Sequence, residues 1–178
     1  KGDSYPQADR VMRHYFQPFG PESEGFLGED IDWNSNPVPK TSPLFNIEWT
    51  AKLNRMFHWS LLRQAYWHTL DEKYVVEWVA QLVDWVDDNP VVPSHGNRTE
   101  PAAWNTLSAG IRMAESWPDC YFAFRDSPSF TPAANFAYLK AIVSHGLRLD
   151  WVAGGYLKTE RSGGNWATAE MHGLGTVA

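Results

Sequence analysis

The segment DEKYVVEWVAQLVDWVDDNP, residues 71–90, decides the fold class. Its large apolar residues recur at the spacing of one α-helical face. They are Tyr74, Val75, Trp78, Val79, Leu82, Val83 and Val86. Asp71 is placed to cap the helix at its start, and Asn89-Pro90 ends the pattern, because the residue before proline disfavours helical geometry. We therefore predict an amphipathic helix that begins after Asp71 and ends near Asn89.

Helical periodicity also extends over most of the chain on both sides of this segment. We predict further long helices at about 47–69, 104–124 and 132–151, and a short one within residues 1–16. The side chains that we predict to face the core are Leu53, Phe57, Leu61 and Ala65 in the first, Leu107, Ile111, Ala114, Trp117 and Tyr121 in the second, and Phe136, Leu139, Val143 and Leu147 in the third. Pro118 should kink or break its helix.

Capping and turn residues predict the helix ends in the C-terminal half. Thr131 is the expected cap before Pro132, and Gly154-Gly155 should end that helix. No segment has the period-two alternation of a strand. The predicted fold class is all-α, built from helical hairpins joined by short turns.

Residues 17–47 differ from the rest in composition. Proline and glycine interrupt any periodicity, yet the segment carries Phe19, Phe26, Trp33 and Phe45. So many aromatic residues are unusual in a disordered tail. We predict that residues 1–47 form a short helix and an ordered, irregular arm packed on a helical domain of residues 48–178. We expect that domain to be truncated before its last helices.

Composition excludes several function classes. The chain has 178 residues, a net charge of −6 and no basic run, which argues against a nucleic-acid or anionic membrane surface. Cys120 is the single cysteine, so no intrachain disulfide can form. The six histidines have no metal-ligand spacing, and we expect no metal or other cofactor within this chain. Ten tryptophans suit both a helical core and sugar stacking.

A second informative segment is RSGGNWATAEMHGL, residues 161–174. Two glycines precede Asn165, and a helical pattern with Ala167, Met171 and Leu174 follows it. Asn165 should therefore lie at or just before a helix N-terminus, where free N–H groups and the helix dipole attract anions. The alternative is that Asn165 only caps the helix, since asparagine is among the best capping residues.

Other polar and aromatic residues are candidates for ligand contact, each with a structural alternative. Arg112 lies among small residues and suits either a carboxylate or sulfate ligand or a structural cation. Trp104 and Asn105 could stack on and contact a sugar, or could anchor the start of a helix. Asn54 and His58 share one helical face and could contact a ligand or bond within the protein. Paired carboxylates for glycoside hydrolysis are a further alternative.

Taken in order, several short motifs resemble the heparinase II/III-like polysaccharide lyases, a family that includes heparan-sulfate and alginate lyases. The motifs are Leu53-Asn54-Arg55, Ala65-Tyr66, Asp71-Glu72-Lys73-Tyr74, Asp84-Trp85, Asn89-Pro90, Trp104-Asn105-Thr106, Ala109-Gly110-Ile111-Arg112, Asp126-Ser127-Pro128 and Gly164-Asn165-Trp166 with Glu170. The resemblance spans roughly residues 31–178. It implies an incomplete (α/α) toroid followed by an antiparallel β-sandwich domain, with an acidic polysaccharide bound between them.

The resemblance also implies a chemistry. Asn165 would neutralise the carboxylate of a uronate during β-elimination, while Trp104, Asn105, Arg112, Asn54, His58, Trp166 and Glu170 would line the substrate site. We expect Glu170 to orient a neighbouring group. Trp166 departs from the family pattern, because many members carry histidine there. The family's catalytic tyrosine and a further histidine would follow residue 178, so this chain should hold half an active site.

The resemblance implies a secreted or periplasmic protein whose partners are an acidic polysaccharide and its own C-terminal β-sandwich domain. Two other functions stay open at this point. One is a non-catalytic glycan-binding or scaffold domain, and the other is a toroid glycoside hydrolase that uses two carboxylates.

Overall fold

The computed structural model describes residues 5–91, 101–159 and 164–178, without the side chains of 157–159. The α-helices are α1 (Pro6–Val11), α2 (Trp49–Leu53), α3 (Trp59–Thr69), α4 (Lys73–Asp88), α5 (Thr106–Ala114), α6 (Ser116–Phe124), α7 (Pro132–Thr159) and α8 (Asn165–Val177). Short 3-10 helices occupy Pro21–Ser23 and Ala102–Trp104, and the strands β1 (Tyr15–Phe16) and β2 (Gly25–Phe26) form one antiparallel pair. The all-α prediction is confirmed.

Helix α4 forms as its periodicity predicts. Asp71 accepts a hydrogen bond from the backbone N–H of Lys73 at 3.0 Å, and the helix ends at Asp88, before Asn89. Trp78 and Leu82 are fully buried. The indoles of Trp59 and Trp78 pack edge to face with ring centroids 5.9 Å apart, and Trp59 also contacts Trp117. The core is therefore an aromatic cluster between α3, α4 and α6.

The predicted helix over 47–69 is wrong in its middle, where the chain divides into α2 and α3. Met56 adopts a left-handed conformation with φ of 59° and is fully buried, so its core packing holds a backbone geometry that interrupts the helix. The break turns Phe57 outward, where it is 40% exposed, and brings Leu62 into the core.

The predicted break near Pro118 is confirmed, and it divides residues 106–124 into α5 and α6 at Glu115. A helical proline clashes with the carbonyl four residues earlier, which here belongs to Ala114, the last residue of α5. The predicted core stripe of α5 is wrong. The fully buried face of α5 carries Ser108, Ala109, Gly110, Arg112 and Met113.

Helix α7 begins as predicted, with the Thr131 hydroxyl accepting from the N–H of Ala134 at 3.2 Å and Pro132 in the first position. Two other predictions for it are wrong. The helix continues through Gly154-Gly155 to Thr159. Its buried face carries Ala134, Tyr138, Ala141, His145 and Leu149, whereas Phe136, Leu139, Val143 and Leu147 are exposed.

The N-terminal arm packs against the helices through its aromatic residues. Trp33 is 1% exposed, and its indole N–H donates to Asp84 of α4 at 2.6 Å. The Thr50 hydroxyl of α2 donates to the backbone carbonyl of Ser35 at 3.1 Å. Leu27 and Ile31 are also buried, so the arm contributes to the core.

None of the described helices combines the length and apolarity needed to cross a bilayer.

Candidate active site at the start of α8

Asn165 is the first residue of α8, and its side chain is exposed. Gly164 occupies the capping position with an extended backbone, φ −93° and ψ 158°, and its carbonyl accepts from the N–H of Thr168 at 3.1 Å. Asn165 therefore follows the cap, which corrects the alternative that it serves as the cap. The N–H groups of the first turn have no acceptor within the helix, so the amide of Asn165 lies beside the positive end of the helix dipole. Arg161, Ser162 and Gly163 lie outside the described residues.

Two glycines hold α8 close against α5. A Cβ on Gly173 would lie 2.7 Å from the Cα of Gly110, and a Cβ on Gly110 would lie 2.7 Å from the carbonyl oxygen of Ala169. Neither position can accept a side chain without separating the helices. The small residues of α5 thus permit the close helix approach and set the position of α8 on the core.

A second contact joins α8 to α7. The hydroxyl of Tyr156 donates to the carboxylate of Glu170, which is 2% exposed. Burial and the carboxylate together raise the pKa of Tyr156 to about 12. The second carboxylate oxygen of Glu170 is buried without a hydrogen-bond partner among the described residues. Glu170 is therefore buried about one and a half turns below Asn165 and contacts a neighbouring helix, which agrees with the expectation that it orients a neighbouring group.

Arg112 lies in the interior at 0% exposure. Its Nε donates to Nε2 of His145 at 2.7 Å, and Nη1 donates to the carbonyl of Asn54 at 3.1 Å. The guanidinium also lies over the ring of Trp85 at 4.5 Å and that of Trp104 at 5.4 Å. Burial lowers the pKa of Arg112 to about 9, which leaves it a cation at neutral pH, stabilised by aromatic faces.

The neighbours of Arg112 use their polar atoms within the protein. The Asn54 side chain donates to the carbonyls of Trp33 at 2.7 Å and Thr50 at 2.9 Å, and accepts from the Trp85 indole at 2.9 Å. The indole of Trp104 donates to the carbonyl of Asn89 at 3.0 Å. Asn54 is 0% and Trp104 2% exposed. The expected ligand contacts of Asn54, Trp104 and Arg112 are therefore corrected to a structural role.

The remaining candidates differ from one another. Asn105 caps α5, its side chain accepting from the N–H of Ser108 at 3.1 Å, and it is half-buried. His58 is partly buried between Phe16 and Trp59, and desolvation lowers its pKa to about 3. It lines a groove of about 300 Å³ between the N-terminal arm and α2–α3. Trp166, beside Asn165, is 45% exposed.

Two residues of these networks, Tyr156 and His145, were missed by sequence reasoning. Tyr156 follows Gly154-Gly155, where the helix was expected to end, so its position against Glu170 could not be foreseen. His145 lies on the face of α7 opposite the predicted one. Its pKa is well below 6.5 because of burial and the nearby Arg112 cation. The one available signal was the spacing of Tyr138, Ala141 and His145, which share a helical face.

Among the described residues, one acidic group could gather around a cation. Carboxylate oxygens of Asp30, Asp84 and Asp88 lie within 4.8 Å of one another. The pKa values of Asp84 and Asp88 are raised, first by desolvation and then by neighbouring carboxylates. Trp33 donates to Asp84, which ties this cluster to the packing of the arm, and we assign it no function.

Comparisons with known proteins cover nearly the whole chain. A family model described as the heparinase II/III N-terminus matches residues 3–178. A heparin-sulfate lyase of Pedobacter heparinus is 34% identical over 134 residues, 75% of this chain and 19% of that protein. A heparin-sulfate lyase of Bacteroides stercoris is 28% identical over 162 residues, 83% of this chain and 23% of that protein.

Solved structures give the same result for the fold. The crystal structure of heparan sulfate lyase HepC from Pedobacter heparinus superposes with a TM-score of 0.72 at 31% identity, covering 93% of this chain and 23% of that one. A heparinase III gene product superposes with a TM-score of 0.62 at 23% identity, covering 93% of this chain and 30% of that one, and supports the fold alone. The chain thus spans about a fifth to a quarter of the curated relatives.

Proposed function

Because the chain belongs to the heparinase II/III N-terminal family, we propose that it forms the helical N-terminal part of a polysaccharide lyase. The substrate is a uronate-containing acidic polysaccharide, similar to heparan sulfate or alginate, and the reaction is β-elimination. The names of the two bacterial relatives, heparin-sulfate lyases, support this substrate class. The helices of this chain make up part of an incomplete (α/α) toroid.

The observation that carries the proposal is the exposed amide of Asn165 at the N-terminus of α8. In β-elimination the C5 proton of a uronate is weakly acidic while the adjacent carboxylate is ionised. As the proton leaves, negative charge develops on that carboxylate. The side-chain amide of Asn165 and the N–H groups of the first helical turn, which have no acceptor within the helix, can donate to it, and donors fixed in advance stabilise such a transition state.

The general base and acid come from elsewhere in the protein. The hydroxyl of Tyr156 already donates to the buried Glu170, so its proton is not available for the departing O4, and its raised pKa disfavours the deprotonated form that a general base requires. We assign both catalytic groups to the polypeptide after residue 178, including a C-terminal β-sandwich domain that closes over the substrate. A general base removes the C5 proton and an acid protonates the departing O4, leaving an unsaturated uronate.

Trp166 completes the proposed contacts. It is exposed beside Asn165, where its ring can stack on a sugar face, and Asn105 supplies a second polar candidate. Because a large polysaccharide does not cross a membrane unaided, we place the protein in the periplasm or outside the cell.

The test uses the full-length protein and a panel of acidic polysaccharides, with ultraviolet absorbance reporting the unsaturated uronate. The proposal predicts a signal that falls at least ~100-fold in Asn165→Ala, the loss expected for one transition-state donor. Thr168→Ala is the matched control, because Thr168 is exposed in the first turn of the same helix and should retain activity.

Each other outcome has a definite meaning. A signal that survives Asn165→Ala in a folded protein would return Asn165 to a structural role. New reducing ends without ultraviolet absorbance would indicate a hydrolase. Binding without any product would indicate a glycan-binding scaffold.

A further inference from the structure

His14 joins the N-terminal arm to α4 through both nitrogens of its ring. Nδ1 lies 2.6 Å from the backbone carbonyl oxygen of Gly28, and Nε2 lies 3.2 Å from the carboxylate oxygen Oε1 of Glu77. The side chains of His14 and Glu77 are 18% and 15% exposed, so solvent screens this pair only in part. One imidazole ring therefore connects the segment after α1, the turn at Gly28 and helix α4.

The partners of the two ring nitrogens determine the protonation state of His14. A backbone carbonyl oxygen can only accept a hydrogen bond, and a neutral imidazole carries a single donor. Oε1 of Glu77 also accepts from Nε2 of Gln81 at 2.7 Å, so this oxygen is an acceptor toward both side chains. Two acceptors on one ring require two N–H groups, and only the imidazolium form has both. The geometry therefore identifies His14 as a cation in the folded protein.

The charged neighbours of His14 favour the same protonation state. The hydrogen bond with Glu77 is the largest cause of the raised pKa of His14, and the Gly28 carbonyl and the charge of Asp84 also raise it, whereas burial lowers it. His58 is the neighbouring titratable ring. Desolvation lowers the pKa of His58 to about 3, so this ring is uncharged near neutral pH and does not oppose the cation.

The backbone at His14 depends on these contacts. His14 has a left-handed conformation with φ of 58°, which is uncommon outside glycine and persists where the surrounding structure holds it. The residue turns the chain from α1 into β1, and its carbonyl accepts from the N–H of Leu27 at 3.2 Å. Loss of a ring contact therefore weakens the turn on which the β1–β2 pair depends.

We propose that the ring of His14 is a proton-dependent clip that holds the N-terminal arm on α4, and that residues 14–28 loosen when the second ring proton is lost. A neutral ring keeps one N–H, so one of its two contacts becomes a contact between two acceptors. The loosening occurs above pH 6.5, because the folded protein binds this proton more tightly than the unfolded chain does. Tyr15 and Gln17 follow the clip and line the groove between the arm and α2–α3, so loosening alters one wall of that groove. The proposal is independent of the lyase function.

Hydrogen exchange of the full-length protein from pH 6.5 to about pH 9 tests the clip, with rates corrected for the intrinsic pH dependence of amide exchange. We expect the protection of peptides within residues 14–28 to fall at least ~10-fold over this range, as for the loss of one hydrogen bond to a charged group. Peptides from the core of α4, residues 78–82, should keep their protection.

Two variants separate the proton from the packing of the arm. His14→Asn cannot titrate, and asparagine tolerates the left-handed backbone. Its protection over residues 14–28 should be low and should vary less than ~2-fold with pH. Arg10→Gln is the matched control, because Arg10 bonds Glu24 within the same arm through a guanidinium that stays charged over this range. It should lower protection at every pH and keep the ~10-fold fall of the parent.

Three results would overturn the proposal. The first is equal protection of residues 14–28 in the parent at both ends of the pH range, and the second is a fall that persists in His14→Asn. The third is a parallel fall in the α4 peptides, which would assign the effect to global unfolding. Nitrogen-15 spectra of the His14 ring give an independent readout. Two protonated nitrogens are expected at pH 6, and a neutral ring at that pH would contradict the assignment.

Discussion

Arg112 and Asn165 are both candidates for substrate contact, but Arg112 is buried in the fold and Asn165 is exposed. Arg112 lies at 0% exposure between Trp85 and Trp104, bonded to His145 and Asn54. Asn165 is exposed at the first position of α8 and follows the capping glycine. One polar group contributes to the core, and the other is available to a ligand.

The difference shows what residue type cannot decide. An arginine suits a sulfate ligand and an aromatic cage equally well, and only its neighbours distinguish the two. Around Arg112 the neighbours are indoles and acceptors already fixed by other hydrogen bonds. Around Asn165 the neighbours are the backbone N–H groups of the first helical turn, which have no acceptor within the helix. Stability and activity should therefore respond to different residues.

The largest effect should follow Arg112→Ala. The substitution leaves a cavity between two indoles and removes the donor to His145 and to the Asn54 carbonyl, so the free energy of unfolding should fall by about 4 kcal/mol. Urea titration of the protein measures this change. Arg112→Met fills the space without a charge and should cost less than half as much. Equal losses of stability for the two variants would mean that the positive charge of Arg112, and not its packed volume, stabilises the contact with Trp85 and Trp104.

Asn165→Asp should separate helix stability from substrate recognition. A carboxylate at the first position favours the helix dipole, so stability should rise by up to about 0.5 kcal/mol. The same charge repels a uronate, and kcat/KM on an acidic polysaccharide should fall at least ~100-fold. Thermal unfolding and the ultraviolet assay give the two readouts. A variant that lost both stability and activity would contradict the separation.

The sequence predicted the fold best where one helical face is apolar. In α4 the apolar residues lie on a single side, so periodicity identified Trp78 and Leu82 correctly. In α7 two faces are apolar, and periodicity favoured the larger side chains of Phe136 and Val143. The face that is buried instead carries Tyr138, Ala141 and His145.

Helix breaks were predictable only where they have a local cause. Pro118 predicts the division between α5 and α6, because a proline ring clashes with the preceding helical turn. The break at Met56 has no such residue, because a tertiary contact holds its left-handed backbone. At the candidate site, the position of Asn165 at a helix start could be read from Gly163-Gly164, whereas the partner of Glu170 could not.

Two histidines predict a pH dependence of stability. Burial lowers the pKa of His145 in the interior, and desolvation lowers to about 3 the pKa of the partly buried His58, so below pH 6.5 the unfolded chain takes up protons that the folded one does not. Each such histidine reduces the free energy of unfolding by at most about 1.4 kcal/mol per pH unit. The hydrogen bond with Glu77 raises the pKa of His14. His14 therefore stabilises the folded state fully below pH 6.5, and this contribution is lost as the pH rises through the raised pKa.

His145→Gln checks this assignment, because glutamine can accept from Arg112 and donate to the Ala141 carbonyl without titrating. Between pH 6 and 5 the variant should lose about 1 kcal/mol less stability per pH unit than the parent. Urea titrations at several pH values supply the slope. Parallel curves for parent and variant would mean that His145 is protonated in the folded state.

Trp166→Ala should have the smallest effect of these substitutions. It allows an exposed tryptophan to be compared with a buried one. Trp104 is 2% exposed and bonded to Asn89, whereas Trp166 is 45% exposed beside Asn165. Loss of a stacking surface should raise KM about fivefold, near 1 kcal/mol, and leave kcat and unfolding nearly unchanged. Trp104→Ala should do the reverse and cost several kcal/mol of stability. If Trp166→Ala lowered kcat and left KM unchanged, Trp166 would act in the transition state, at the position where many family members carry histidine.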